Sequence, residues 1–101
     1  MKQRYRSFAQ FYVFYLSQHR TAACRRLHFA GLVLGLAALV VIGITGRWSL
    51  LPIAPLIGYG FGWIGHFVFE KNRPATLSHP LYSFLGDFAM ARDILRGHVR
   101  L

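Results

Sequence analysis

The chain has 101 residues, 54% of them hydrophobic and only 15% charged, with a formal net charge of +9. A single domain of this size would bury only a thin core in water, and the single cysteine, Cys24, excludes an internal disulfide. The positive charge lies in two clusters that flank uncharged stretches, not in one basic stripe, which sets nucleic acid aside as a partner.

The first element expected is a helix over about residues 5–18, where Phe8, Phe11, Tyr12, Tyr15 and Leu16 recur at i, i+3, i+4, i+7 and i+8. One aromatic stripe on a short helix suits the membrane surface. Twenty uncharged residues then run from Leu27 to Gly46, and twenty-two more from Trp48 to Phe69. About 20 apolar residues cross a ~30 Å hydrocarbon layer as a helix. Separated only by Arg47 and a few turn-forming residues, the two runs read as a transmembrane hairpin with spans at about 27–46 and 48–69. The competing reading, two buried helices of a soluble bundle, fails because the rest of the chain is too short to cover both. Pro52 and Pro55 mark the start of the second span, where missing amide donors are tolerated. Pro74 and Pro80 bracket a loop, and a last amphipathic helix is expected over about 80–96. Residues 1–101 thus form one all-α membrane domain, a hairpin flanked by N- and C-terminal amphipathic helices.

Lys2, Arg4, Arg6, Arg20, Arg25 and Arg26 precede the first span, and Lys71, Arg73, Arg92, Arg96 and Arg100 follow the second. By the positive-inside rule both termini face the cytoplasm, whether of a bacterial inner membrane or of the endoplasmic reticulum. The basic side chains then serve as topology determinants and contacts to anionic lipid. Trp48, Tyr59 and Trp63 read as belt and packing aromatics.

The histidines are less ordinary. His28 lies nineteen residues before Arg47 and His66 nineteen after it. In antiparallel helices both sit ~28 Å from the turn, at one depth near the cytoplasmic boundary. His28, Gly31 and Gly35 share one helix face; Gly58, Gly62 and His66 share another, with Gly65 beside them. Small residues let membrane helices approach closely, so each histidine lies on the face that should make the helix contact. His19 and His79 fall just outside the spans on the same side, and four imidazoles at one end of a hairpin point to a metal. Imidazole suits iron, zinc, copper and nickel alike. Glu70, one turn after His66, and Asp87 are candidates to orient the histidines or, for Glu70, to ligate; each reads equally as a surface charge. His98, close to the C-terminus, has no such company. Since His19 and His28 are nine residues apart, half a turn out of phase, a helix break between them is required for both to reach one metal.

The segments FYLSQHR, RRLHFAG, GYGFGWIGHFVFEKNRPAT and HPLYSFLGDFAM resemble the motifs of the 2-hydroxy fatty acid dioxygenases, over roughly residues 11–93. In eukaryotes that family resides in the endoplasmic reticulum membrane and acts in fatty-acid α-oxidation. The resemblance implies Fe(II)-dependent cleavage of a 2-hydroxy fatty acid with O2 to the acid one carbon shorter. It carries a ligand role onto His19, His28 and His66, while His79 stands where some members have tyrosine. Many relatives carry an Asn-Pro pair after the first histidine; here the stretch is HRTAACRRLH, without the proline that would break the helix.

A 2-hydroxy acid can chelate a metal through its hydroxyl and carboxylate, with its tail along the hairpin or in lipid. Arg25, Arg26, Lys71 and Arg73 are placed to attract the carboxylate, although lipid phosphate is the commoner partner of such residues. A hairpin this thin is also expected to pair with a second copy. Two other readings stand against an oxygenase: a non-catalytic membrane scaffold whose histidines only hydrogen-bond, and a hydroxylase or desaturase, which usually has more histidines in short-spaced pairs.

Overall fold

In the computed structural model, which describes residues 5–101, Ser7 opens helix α1 (Phe8–Ser17), its side chain accepting a bond from the Gln10 amide. Lys2 and Arg4, counted above among the cytoplasmic charges, lie outside the described residues. Thr21 opens α2 (Ala22–Thr45) in the same way, its hydroxyl accepting from the Cys24 amide at 3.1 Å. Side-chain oxygens at these positions satisfy amides that a helix start leaves without partners. Gly46, at φ +69°, closes α2 in the left-handed conformation, which glycine adopts without steric cost. A 3-10 turn at Trp48–Leu50 leads into α3 (Ile53–Ile64), which continues as a π-helical segment, Gly65–Glu70. After a second 3-10 turn (Ala75–Leu77), α4 (Pro80–Leu95) begins with proline in its first turn.

Among the described residues the chain is all-helical, and Ala22–Thr45 and Trp48–Glu70 are long and apolar enough to cross a membrane. Their outward side chains, among them Val40, Val41, Ile44 and Leu56, are more than half exposed. A band of this kind suits lipid and would be a liability in water.

Glycine sets the distance between α2 and α3. A methyl group on Gly31 would come within 2.8 Å of Phe61 Cβ and 2.9 Å of the Gly58 carbonyl, and one on Gly35 within 2.9 Å of the Ala54 carbonyl. These are backbone or Cβ atoms that cannot swing away, so the helices would have to separate. Gly31→Ala is therefore expected to cost about 1–3 kcal/mol, read as a lower unfolding temperature in detergent. Gly60, with nothing within 4 Å of an added methyl, is the control: Gly60→Ala should be neutral or slightly stabilising. Equal unfolding temperatures for the two variants would show that the helices are not held this close.

Helices α1 and α4 pack together over one end of the hairpin. Phe11 and Tyr15 from α1 join Ala75 and Met90 in the buried core, and a methyl on Gly86 would come within 2.8 Å of the Tyr15 ring. Tyr12 donates to Asp93 Oδ2 at 2.5 Å. The buried part of the α1 stripe thus faces protein instead of the membrane surface, because the small face of α4 (Ser83, Gly86, Ala89) accepts its large rings. The large apolar side chains α4 leaves exposed are Leu81, Phe84, Leu85, Phe88 and Leu95.

Candidate metal centre

Three imidazoles from three different segments meet where α1 and α4 cover the hairpin. His19 comes from the link between α1 and α2, His28 from the second turn of α2, and His66 from the π-helical segment. Their ring centroids are 4.4 Å (His19–His28), 4.5 Å (His19–His66) and 4.9 Å (His28–His66) apart, with the planes at 74–84°. His19 and His66 are 2% and 1% exposed. The helix break that the nine-residue spacing requires is present without proline. Helix α1 ends at Ser17, and Glu70 takes both the amide and the hydroxyl of Thr21, the latter at 2.6 Å, fixing the start of α2.

Two of the rings are hydrogen-bonded through Nδ1, and the third has a carboxylate beside it. His19 Nδ1–H donates to the Tyr15 carbonyl at 2.7 Å, and His66 Nδ1–H to Asn72 Oδ1 at 2.7 Å. His28 Nδ1 lies 3.4 Å from Asp87 Oδ1, which also accepts the Tyr15 hydroxyl. The partners fix the tautomers. A carbonyl and a carboxylate can only accept. Asn72 spends its Nδ2 protons on the Gln18 carbonyl (3.2 Å) and Gln18 Oε1 (3.0 Å), so its Oδ1 faces His66. The protons of His19 and His66 therefore sit on Nδ1 and leave their Nε2 atoms with lone pairs, and the Asp87 carboxylate beside His28 Nδ1 favours the same tautomer there. His19 Nε2 and His28 Nε2 are 3.1 Å apart, so with His28 in that tautomer two lone pairs face each other.

Such an arrangement fits an electrophile. A metal ion satisfies converging imidazole lone pairs, and ligating histidines characteristically give the other ring proton to a carboxylate or carbonyl. Burial, and next the neighbouring His28, push the His19 imidazole down to about 2, so it stays in the neutral, ligating form. Burial and the adjacent Asp87 charge raise the Tyr15 hydroxyl well above its usual range, so it remains a donor.

A pH dependence follows. Because the folded value of His19 lies far below the ordinary 6.5, the unfolded chain binds a proton that the folded chain refuses. This part of the stability is complete above 6.5 and is lost as pH falls from there toward 2. Circular dichroism melts of the metal-free protein in detergent should show unfolding temperatures falling below pH 6.5. His19→Asn should flatten that dependence, and an unaltered slope in the variant would assign it to another group.

Among the described residues, the ligating atoms of His19, His28, His66 and Cys24 all lie within 4.8 Å of one another. Sequence reasoning missed Cys24, although its place one turn before His28 puts it on the same face of α2. It also missed Asn72, whose position depends on the left-handed Lys71 (φ +56°) turning the chain back after the π segment. His79 is not in this group. The 3-10 turn before α4 carries it against Tyr5 and Phe11, with centroids 5.1 and 5.5 Å away, and its Nδ1 meets Ser78 Oγ at 2.8 Å. His98 is exposed beside Asp93.

Arg25 bonds the carbonyls of His19, Arg20 and Arg100, and Arg26 reaches the Leu101 carbonyl. Lys71 and Arg73 are exposed. From His28 and Asp87 an apolar cavity of about 470 Å³ runs between α2, α3 and α4 as far as Leu39, Leu51 and Pro52.

Compared with known proteins, residues 5–99 match the family model described as "2-hydroxy-palmitic acid dioxygenase Mpo1-like". No curated protein and no solved structure matches the chain.

Proposed function

Because the chain belongs to the 2-hydroxy-palmitic acid dioxygenase Mpo1-like family, we propose that it is a membrane-embedded Fe(II)-dependent dioxygenase that shortens 2-hydroxy fatty acids by one carbon. The observation that supports this reading most is the set of three imidazoles, two anchored through Nδ1 and the third beside the Asp87 carboxylate, whose ligating atoms lie within 4.8 Å of one another. His19, His28 and His66 would hold the iron, and Cys24 is close enough to join them. When bound, iron(II) supplies the O2 and one-electron chemistry that side chains lack.

The rest falls to the protein. Tyr15, Asn72 and Asp87 fix the ring orientations and keep the Nε2 atoms unprotonated. The cover of α1 and α4 keeps bulk water from His19 and His66, which suppresses side reactions of an oxygenase site. The hydroxyl and carboxylate of the substrate would sit at the His28 end. In the balanced reaction R–CH(OH)–COOH and O2 give R–COOH, carbon dioxide and water: the C1–C2 bond breaks and O2 is the oxidant. With both termini cytoplasmic, the site would lie just below the cytoplasmic membrane surface.

The test is iron content after anaerobic purification in detergent, followed by incubation with a 2-hydroxy fatty acid under O2. Stoichiometric iron and the acid one carbon shorter are expected. Protein free of bound metal that only loses stability when its histidines are replaced would favour the scaffold reading.

A further inference from the structure

The apolar cavity beside the metal centre has a direction. Of its lining side chains, His28 and Asp87 stand at one end, and Tyr59 alone is polar farther along. Leu32, Leu36 and Leu39 follow His28 along α2 at successive turns, and Phe84 and Phe88 of α4 face them. From His28 to Leu39 is eleven residues, or ~16 Å along the helix axis. The cavity is open along one side, where Leu36, Leu39, Phe84 and Phe88 are each 39–47% exposed, so in a membrane its open side faces lipid.

We propose that this groove seats a single acyl chain, with its carboxyl end at His28 and Asp87 and its methyl end toward Leu39 and Leu51, and that Leu32, Leu36 and Leu39 measure chain length. The identity of the head group rests on the function proposed above; the seating of the tail does not. A polar end joined to a long apolar wall is complementary to a single-chain amphiphile. The lining contains no lysine or arginine, so nothing along the groove meets a headgroup phosphate, and a carboxyl group can be met only at the His28 end, by the metal the three rings would hold. Entry is lateral, from the bilayer, through the open side.

The wall acts as a ruler because a chain that cannot follow it must turn out into lipid and forfeits its packing contacts with these side chains. Leu36→Trp fills the groove two turns beyond His28. Leu36 is 41% exposed, so the change leaves the helix contact intact. A chain ending above it, octanoic acid, should bind as before, whereas palmitic acid should bind more weakly than to the unaltered protein.

The experiment uses the iron-loaded full chain in nanodiscs under argon, labelled with palmitic acid carrying a diazirine at its methyl end. Labelling is expected at Leu39 and Leu51, displaced by unlabelled palmitic acid but not by added phospholipid, and lost in Leu36→Trp. Label spread over the outward residues Val33, Val40 and Ile44, displacement by phospholipid, or full labelling of Leu36→Trp would each overturn the proposal. Correct labelling without oxidation of 2-hydroxy acids once O2 is admitted would leave the groove standing and remove the dioxygenase reading instead.

Discussion

Replacing His66 with glutamine is expected to lower bound iron from stoichiometric to background, while His79→Gln keeps it stoichiometric. His66 lies on a π-helical segment, 1% exposed, between the Asn72 anchor and the two other rings. Its removal takes one of three converging nitrogens, so the loss in metal affinity should exceed the roughly 10–100-fold caused by removing an outer partner. Glutamine is preferred to alanine because it fills most of the space and can still bond Asn72, which keeps the fold intact. His79 tests specificity. It shares the membrane depth expected of a ligand yet packs on α1 beside Phe11. Metal analysis of the two variants settles the assignment: iron retained by His66→Gln, or lost from His79→Gln, would show that the three-ring cluster is not the site.

Much of this site follows from counting along the chain. Equal spacing of His28 and His66 about Arg47 places them at one depth, and their centroids are 4.9 Å apart. The glycines that share their faces mark the helix contact because membrane helices need small residues to approach, and a methyl on Gly62 would come within 2.7 Å of the His28 ring. Periodicity fails where the backbone leaves regular helix. No pattern announces the π-helical turn at Gly65–Glu70 or the left-handed Lys71, so neither the Asn72 anchor nor the Glu70–Thr21 clamp is visible from spacing. The aromatic stripe of α1 is plain in the sequence, but its partner is not: an apolar face reads alike whether it meets lipid or, as here, the small residues of α4. His79 fails for a related reason, since depth along a span says nothing about which side of a helix the following loop will cross.

The largest effects expected away from the rings themselves are at Tyr15 and its partner Asp87. Tyr15 is linked to two of the three histidines, directly through its carbonyl to His19 and indirectly through its hydroxyl to Asp87, which faces His28. Tyr15→Phe removes the hydroxyl and keeps both the ring, 4.3 Å from His19, and the fit against Gly86. Iron affinity should fall by about 10–100-fold, as for the loss of an outer partner, with little change in unfolding temperature of the metal-free protein. Asp87→Ala should fall at least as far, because His28 then loses its acceptor directly. If Tyr15 acts on His28 only by holding Asp87, the two changes are not independent. The Tyr15→Phe, Asp87→Ala double variant should then bind iron no more weakly than Asp87→Ala alone. Additive losses would mean that the hydroxyl acts on the metal site by another route. A fully retained affinity in Tyr15→Phe would mean that Asp87 keeps its place beside His28 without the Tyr15 hydroxyl.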